Sequence, residues 1–475
     1  MSLLRSGAVL FASHAAAAIL SFLRNVIVAR ALGVEEFGIA ATFAVIFALV
    51  ETATDTGLEK LIVRDPDGES ADFQGTMQAF FLLRGGVAAV AMVLLAGPFA
   101  RYMGLGEIAW AYQILAIAPL VRGFVHFDIY RHQRVMNFKG LIAATLAGPA
   151  FAIVVVLAGL LIVQDFQVVL WALIGFQTAF VVASHVFSDR AYRLTWNGEV
   201  MRRSIRFGLP LLLNGLLFFA IMQGDRMIIG GEISVEVLGW YSVAWLLVST
   251  PAFVMINTVR SVFLPKLSER VDERGLQEGM VTATVEAGAF SGIALIAGFF
   301  VLGPAVLIFV YGAEYAAALS VLQPIAAAFA MRLLSASITT IALAGDDTPT
   351  PLVSGIVRAL FLPLAYIAAI SGYGAVALAW IAFIGETISV IVGAVRLTRR
   401  RGLNPRPWAP SLALLALSTW GALLLDATLI QPAPTTTPAL WMCAVFIGLT
   451  LAAILPMRAL RQALGLSKAG ARHTN

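Results

Sequence analysis

Charged side chains are scarce in this sequence of 475 residues. Asp, Glu, Lys and Arg make up only 12% of it, whereas apolar residues make up 60%, and the mean hydropathy is +0.89. A soluble domain of this length would carry about a quarter charged residues. A soluble fold is therefore excluded, and the sequence predicts that most of the chain lies in lipid.

Cysteine is nearly absent. Cys443 alone occurs, inside an apolar run near the C-terminus, so disulfides within the chain and cysteine-based metal sites are excluded. The sequence also lacks a Walker-type phosphate loop, the His-Glu-x-x-His and Gly-x-Ser-x-Gly motifs, and any Cys/His cluster. We therefore predict no cofactor, no metal and no enzymatic activity.

Long polar loops are missing as well, so there is no room for a soluble domain. Runs of about 20 apolar residues predict fourteen membrane helices. They lie near 7–29, 37–59, 77–97, 108–128, 141–163, 168–188, 207–229, 237–262, 281–302, 318–343, 352–370, 374–395, 409–426 and 439–456. We predict that the first is a retained span rather than a cleaved signal peptide. The fold class is all-α integral membrane protein.

Arginine and lysine are distributed unevenly over the predicted loops. With the N-terminus inside, the cytoplasmic segments carry 23 basic residues and the opposite face carries two, Arg30 and Arg101. Lys and Arg are retained on the cytoplasmic side of short loops. Because one missed span would reverse every later loop, this asymmetry predicts both the helix count and an inner-membrane protein with cytoplasmic N- and C-termini.

An internal repeat appears when the chain is compared with itself at a shift of 201 residues. Val34–Gly38 then aligns with Val235–Gly239, each at the start of an even-numbered helix. The shift equals six predicted spans, and both copies enter from the same side, which indicates halves related by an axis along the membrane normal. We predict two six-helix lobes, 1–200 and 201–400, with two further helices and a tail in 401–475.

Arginine supplies every cation inside the predicted spans. These residues are Arg24, Arg84, Arg122, Arg226, Arg260, Arg332 and Arg358. In lipid each costs about 2.5–3.5 kcal/mol unless it faces protein or water. Snorkelling toward the interface also explains Arg24, Arg226 and Arg260, which lie near helix ends.

The remaining arginines lie deeper. At 1.5 Å per residue, Arg84, Arg122 and Arg332 share the cytoplasmic half of the membrane. Glu51 reaches a similar depth, and Asp55 and Glu59 follow it on the same helical face. Interhelical Arg–carboxylate pairing explains any one of these charges, but so many predict a shared water-filled cavity between the lobes.

The guanidinium keeps its charge when desolvated and presents a fork that fits phosphate oxygens. The predicted ligand is therefore an anion, such as a phosphate or pyrophosphate. We predict that it is bound by Arg24, Arg84, Arg122, Arg226, Arg332 and Arg358. Since no nucleotide site occurs, candidates for ion coupling are Glu51, Asp55 and Glu386.

Three segments carry a family resemblance. Ser21–Gly38, Phe207–Asn214 and Gly224–Gly230 resemble the polysaccharide-flippase branch, with the Wzx-type flippases, of the multidrug/oligosaccharidyl-lipid/polysaccharide exporter (MOP) superfamily. That resemblance implies a V-shaped, two-lobed protein that moves an undecaprenyl-pyrophosphate-linked oligosaccharide (an O-antigen, exopolysaccharide or capsule repeat unit) across the inner membrane by alternating access. Arg24 matches the arginine of the first-helix motif and would contact the pyrophosphate. The acidic loop Gly345–Pro351 departs from relatives that often carry a basic residue there.

The resemblance also implies partners: the lipid-linked oligosaccharide, membrane lipids, a polysaccharide polymerase and a priming glycosyltransferase, with no nucleic acid. A first rival is a drug/cation antiporter of the same superfamily, which would favour an acidic or aromatic cavity. A second is an integral-membrane enzyme of lipid-linked glycan assembly, although the outer loop Ile430–Pro438 has no charged group. A third is a structural scaffold.

Overall fold

The computed structural model describes residues 3–269, 271–272, 275–276, 278–429, 448 and 452–463. Contacts divide the chain into two compact units, Met1–Gly239 (unit 1) and Trp240–Asn475 (unit 2). Each unit has its own apolar core. The described residues are almost entirely helical, which confirms the predicted all-α class.

Nine α-helices lie within the described part of unit 1. They are α1 (Leu3–Thr54), α2 (Leu58–Arg64), α3 (Ala71–Tyr102), α4 (Ala109–Leu115), α5 (Ile117–Arg122), α6 (Asp128–Arg131), α7 (Lys139–Gly159), α8 (Gln167–Val186) and α9 (Gly198–Ile228). Short 3-10 turns occur at Pro66–Glu69, Gly106–Ile108 and His132–Val135, and a π-helical turn follows α9 at Ile229–Ile233.

Helix α10 (Val235–Ser268) begins in unit 1 and continues into unit 2. The other described helices of unit 2 are α11 (Glu278–Val301), α12 (Gly303–Tyr311), α13 (Leu319–Ala344), α14 (Pro349–Ala359), α15 (Phe361–Ile370), α16 (Ala375–Arg401), α17 (Ala409–Leu429) and α18 (Arg458–Ala463). Two short strands, β1 (Val271–Asp272) and β2 (Gly275–Leu276), pair antiparallel. Further 3-10 turns occur at Ala313–Ala318 and Arg406–Trp408.

Among the described residues, 11 helices are long and apolar enough to cross a membrane. The predicted spans 7–29 and 37–59 are both contained in α1, which is broken only at Gly33 (φ 78°), a backbone conformation that favours glycine. The predicted span 108–128 is instead the two short helices α4 and α5. The count of fourteen therefore stays a prediction.

Several sequence predictions lie outside the described residues. They concern most of the span 439–456, Cys443, the loop Ile430–Pro438, and the basic residues Arg270, Arg274, Lys468 and Arg472.

The loops of unit 1 meet at two ends, as their predicted alternation requires. At one end, Arg134 donates to the carbonyl of Asp65 (2.6 Å) and Arg131 pairs with Glu69 (3.1 Å). At the other end, the carboxylate of Glu36 accepts the backbone N–H of Phe166 (2.8 Å). The first end carries the basic loops and is the predicted cytoplasmic end.

The two copies of the repeat touch each other within unit 1. A Cβ atom built on Gly38 would lie 2.0 Å from the carbonyl oxygen of Val235, and one built on Gly239 would lie 2.2 Å from that of Val34. Both distances are far below any real Cβ contact. The predicted register of the repeat thus corresponds to a reciprocal helix crossing at which both helices need glycine.

The contact boundary at Gly239 does not coincide with the lobe boundary predicted at 200. The reason is α9, which packs against the end of α1: a Cβ on Gly208 would lie 2.6 Å from the side chain of Thr56, and one on Gly215 would lie 3.1 Å from that of Thr52. The lobes 1–200 and 201–400 and the extension 401–475 stay predictions.

Candidate functional site

Two adjoining cavities lie inside unit 1, along α1. The acidic cavity has a volume of about 210 Å³ and is lined by Glu51, Asp55, Glu59, Arg84, Arg122 and Tyr130, with Thr52 and Phe81. The larger cavity has a volume of about 440 Å³, and its polar residues are Ser21, Glu51, Arg122, Thr145 and Gln177. Glu51 and Arg122 belong to the walls of both.

The three carboxylates of the acidic cavity come from different elements. The sequence predicts one helical face, but α1 ends at Thr54 and Gly57, with φ of 61°, turns the chain into α2. The carboxylate of Asp55 accepts the N–H of Gly57 (3.0 Å) and supports that turn. Glu59 returns in the first turn of α2, so all three groups still face one cavity.

Arg84 holds the end of α1. Its Nη2 donates to the carboxylate of Glu51 (2.8 Å) and to the Glu51 carbonyl (3.0 Å), and its Nε donates to the carbonyl of Thr54 (2.8 Å). The last carbonyls of a helix have no partner within the helix. Arg84 therefore neutralises Glu51 and caps α1 at once.

Arg122 is held differently. It is the last residue of α5, and its guanidinium lies over the ring of Phe180, 3.7 Å from the centroid. Such cation–π contact stabilises a charge without neutralising it. Among the described residues Arg122 forms no ion pair and no side-chain hydrogen bond, so its donors face the two cavities.

In unit 2, three predicted site residues form one cluster. Arg332 of α13 and Arg358 of α14 both contact Glu386 of α16, whose side chain is buried. Arg332 donates to one carboxylate oxygen through Nε (2.7 Å) and also through Nη2, and Arg358 Nε lies 2.7 Å from the other oxygen. Arg358 also donates to the hydroxyl of Ser335 (3.2 Å).

The other two predicted arginines do not line either cavity. Arg24 lies one turn after Ser21 in α1, and its Nη2 donates to the side chain of the adjacent Asn25 (2.9 Å). Arg226 is buried near the end of α9, where it donates to the carbonyl of Met222 (3.3 Å). The anion-binding role of all six arginines stays a prediction.

Sequence reasoning missed the aromatic residues of the site. The ring of Phe180 stacks on Arg122, and the ring centroid of Phe81 lies 5.0 Å from the guanidinium of Arg84. Tyr130 lines the acidic cavity. An aromatic residue in an apolar span carries no distinguishing signal. Gln177, one turn before Phe180, is a polar residue inside a span. Its polarity is the sequence signal that this face of α8 lines a cavity.

The chain is similar to known proteins in sequence and in overall fold. A profile of the family described as "Polysaccharide biosynthesis protein" matches residues 27–320. No curated protein matches the sequence. The solved structure of the lipid II flippase MurJ in an inward closed conformation superposes with a TM-score of 0.71, covering 94% of this chain and 98% of its own, at 14% identity.

A second solved structure is an inward-facing multidrug resistance MATE family transporter of the MOP superfamily. Its TM-score is 0.64, it covers 81% of this chain and 94% of its own, and the identity is 17%. At these identities the likeness shows the fold alone. The superfamily fold expected from the sequence resemblance is thereby confirmed.

Proposed function

Because the chain belongs to the polysaccharide biosynthesis protein family, we propose that it is a flippase that moves an undecaprenyl-pyrophosphate-linked oligosaccharide across the bacterial inner membrane by alternating access. The families and folds it resembles are those of transporters. The repeat unit is an O-antigen, exopolysaccharide or capsule unit. A polymerase and a priming glycosyltransferase are its proposed partners.

The observation that carries this proposal is the environment of Arg122. A guanidinium that stacks on Phe180 keeps its fork of N–H donors for a ligand, and this fork matches the oxygens of a pyrophosphate. The larger cavity exposes Arg122 without Asp55 or Glu59. The one carboxylate in its wall, Glu51, is paired with Arg84. An anionic head group therefore meets the cation from that side.

The larger cavity also suits the sugar part of such a ligand. Gln177 is buried, and its side-chain oxygen has no hydrogen-bond partner among the described residues. A buried acceptor without a partner costs about 1–3 kcal/mol. A hydroxyl of the oligosaccharide would satisfy it, and Ser21 and Thr145 on the same wall offer further hydroxyls.

The proposal gives unit 2 a second cationic centre. Within the trio of Arg332, Arg358 and Glu386, two guanidiniums share one carboxylate. Protonation or ion binding at Glu386 would release both cations toward an anion, which is how this residue would couple transport to an ion gradient. Glu51 and Asp55 keep the same candidate role in unit 1.

One observation favours a second function, a drug/cation antiporter. The acidic cavity contains three carboxylates against two guanidiniums, and a site of that charge attracts cations. A cationic dye is the corresponding probe. Efflux of the dye that depends on Asp55 and Glu59, with no effect on surface glycan, would select this function over the flippase.

The test uses Arg122→Gln and Arg122→Lys in cells that lack the chromosomal copy, and the purified chain in liposomes containing a labelled lipid-linked oligosaccharide. A charged hydrogen bond is worth about 1.5–3 kcal/mol, so Arg122→Gln should weaken binding about 10- to 100-fold. Arg122→Lys, which loses the fork, should restore only part of it. Surface glycan should fall while the lipid-linked precursor accumulates on the inner leaflet.

The matched control is Arg101→Gln, which removes the same charge from an exposed position at the end of α3. It should leave translocation unchanged. Normal translocation by Arg122→Gln protein, at normal abundance, would refute the assignment of the pyrophosphate to this residue.

A further inference from the structure

The connection between α8 and α9 contains a ten-residue segment without regular secondary structure, residues 188–197, which we call the strap. A surface segment of this length without secondary structure usually has few fixed contacts. The strap, by contrast, is attached to unit 1 along its whole length, at the end that carries the basic loops.

Asp128 holds the beginning of the strap. This residue is fully buried, and one of its carboxylate oxygens accepts the backbone N–H groups of Asp189 (2.7 Å) and Arg190 (3.1 Å). Its other oxygen accepts Nε of Arg131 (2.6 Å). Burial alone would raise the pKa of Asp128, but these donors outweigh it and hold the pKa below its usual range, so the anchor stays ionised.

The first turns of α3 hold the rest. Gln78 donates to the carbonyl of Arg193 (2.8 Å), and Thr195 donates to the carbonyl of Asp72 (2.9 Å). A Cβ on Gly75 would lie 2.6 Å from the hydroxyl of Thr195. The strap thus lies directly on the backbone of α3.

The end of the strap is fixed by Asn197. Its side-chain amide donates to the carboxylate of Asp72 (3.1 Å), while its side-chain oxygen caps α9 by accepting the N–H of Glu199 (3.0 Å). The same residue therefore ends the strap and begins the next helix.

Thr195 and Asn197 bind α3, whereas Leu194 and Trp196 face solvent and are 50% and 67% exposed. A rigid polar-anchored segment that displays a leucine and a tryptophan has a composition typical of the membrane–water interface, where tryptophan is enriched.

A cavity of about 260 Å³ adjoins the strap. Its walls include Gln74 and Gln78, whose side chains are buried, and Arg190 and Arg193. The guanidinium of Arg190 donates hydrogen bonds to the side-chain oxygen of Gln74 (2.9 Å) and to the carbonyl of Glu69 (2.9 Å). Arg193 is exposed, and among the described residues its guanidinium has no partner.

We propose that the strap binds an anionic phospholipid: Leu194 and Trp196 enter the bilayer interface, and Arg193 binds the headgroup phosphate at the mouth of this cavity. The leaflet is the one on the side of the basic loops, which their charge predicts to be cytoplasmic. The inference is independent of the transported substrate. Charge complementarity and the two exposed apolar side chains together select a lipid over a soluble phosphate.

The insertion is tested with the full chain in nanodiscs, on a Cys443→Ser background that removes the single native cysteine. Trp196→Cys and, as control, Asp67→Cys on the polar 3-10 turn at the same end receive an environment-sensitive fluorophore. Lipids that carry a quencher at the headgroup level should quench the label at 196 and leave the label at 67 sensitive only to aqueous iodide. Equal iodide quenching at both positions would overturn the proposal.

The headgroup contact is tested by native mass spectrometry with phosphatidylglycerol and phosphatidylcholine. Arg193→Gln keeps the backbone carbonyl that Gln78 binds, so the strap stays in place. One basic residue at an anionic surface is worth about a fivefold change in partition, and Arg193→Gln should lose that preference for phosphatidylglycerol, whereas Arg399→Gln, an exposed arginine of unit 2, should keep it. An unchanged preference, or equal competition by soluble glycerol phosphate, would reject the lipid assignment.

Discussion

Gly38 and Gly239 occupy equivalent positions of the internal repeat. Each faces the backbone carbonyl of the residue four positions before the other glycine. A Cβ on Gly38 would lie 2.0 Å from Val235 O, and one on Gly239 would lie 2.2 Å from Val34 O. Two helices can cross this closely only where neither carries a side chain. The repeat is therefore visible in the sequence at a point where the packing leaves no room for a side chain.

Gly38→Ala and Gly239→Ala should each destabilise the protein by about 1–3 kcal/mol, because the added methyl group overlaps backbone atoms that cannot rotate away. Thermal unfolding of the purified chain, followed by the fraction that remains monodisperse, measures the change. The control is Gly86→Ala in α3, where a Cβ meets nothing within 4 Å. That substitution should be neutral or stabilising by up to about 1 kcal/mol. A similar loss of stability in all three variants would contradict the close crossing.

Arg84→Ala should cost more stability than Glu51→Gln. The first change leaves the Glu51 carboxylate without its cation and the Thr54 carbonyl without its donor, whereas the second keeps an acceptor for Arg84. Because Arg84 and Glu51 contact each other directly, a double-mutant cycle should give a coupling of about 0.5–3 kcal/mol. Strictly additive effects in thermal unfolding would show that the pair acts independently.

Glu386→Gln should destabilise unit 2, since it leaves two guanidiniums at 2.7 Å from a neutral side chain. Removing one member of a buried ion pair costs about 3–5 kcal/mol. Adding Arg358→Gln to Glu386→Gln should recover part of this loss by removing one of the two cations. If the double variant is less stable than Glu386→Gln alone, the repulsion between Arg332 and Arg358 is not the cause.

Asp347, in the loop before α14, predicts a pH dependence. Burial by itself would raise its pKa, but the hydroxyl (2.6 Å) and N–H of Thr350 and the charges of Arg400 and Arg401 outweigh burial and hold the pKa below its usual range. The folded state thus favours the ionised form. Its contribution to stability is fully present above the unfolded pKa of about 3.9 and is lost as the pH falls through the lower folded value.

Asp347→Asn should therefore flatten the loss of stability at acidic pH, in unfolding curves recorded between about pH 6 and pH 3. The matched control is Asp346→Asn, because Asp346 is exposed and its φ of 57° is well tolerated by asparagine. That variant should keep the wild-type pH profile. A wild-type profile for Asp347→Asn as well would mean that another group controls the acid sensitivity.

The sequence predicted that Glu51 and Arg84 lie at a similar depth in a membrane, where a charge needs a partner, but it did not predict that they pair with each other. It could not predict that Arg84 also caps α1. That role depends on α1 ending at Thr54, whereas the hydropathy pattern extends the span to Glu59. Arg122 was identified by the same depth argument, but its contact with Phe180 was not, because apolar spans do not reveal which aromatic ring faces which helix.

Composition alone determined that this chain is a helical membrane protein, because a scarcity of charge leaves no soluble alternative, and its motifs pointed to the family. Loop charges and the repeat predict the orientation and the repeating register of the helices, since both are properties of position along the chain. Only the tertiary structure decided that Arg332 and Arg358 share Glu386 while Arg122 stacks on a ring. Those pairings depend on how each helix is rotated about its axis, which side-chain packing determines and hydropathy does not encode.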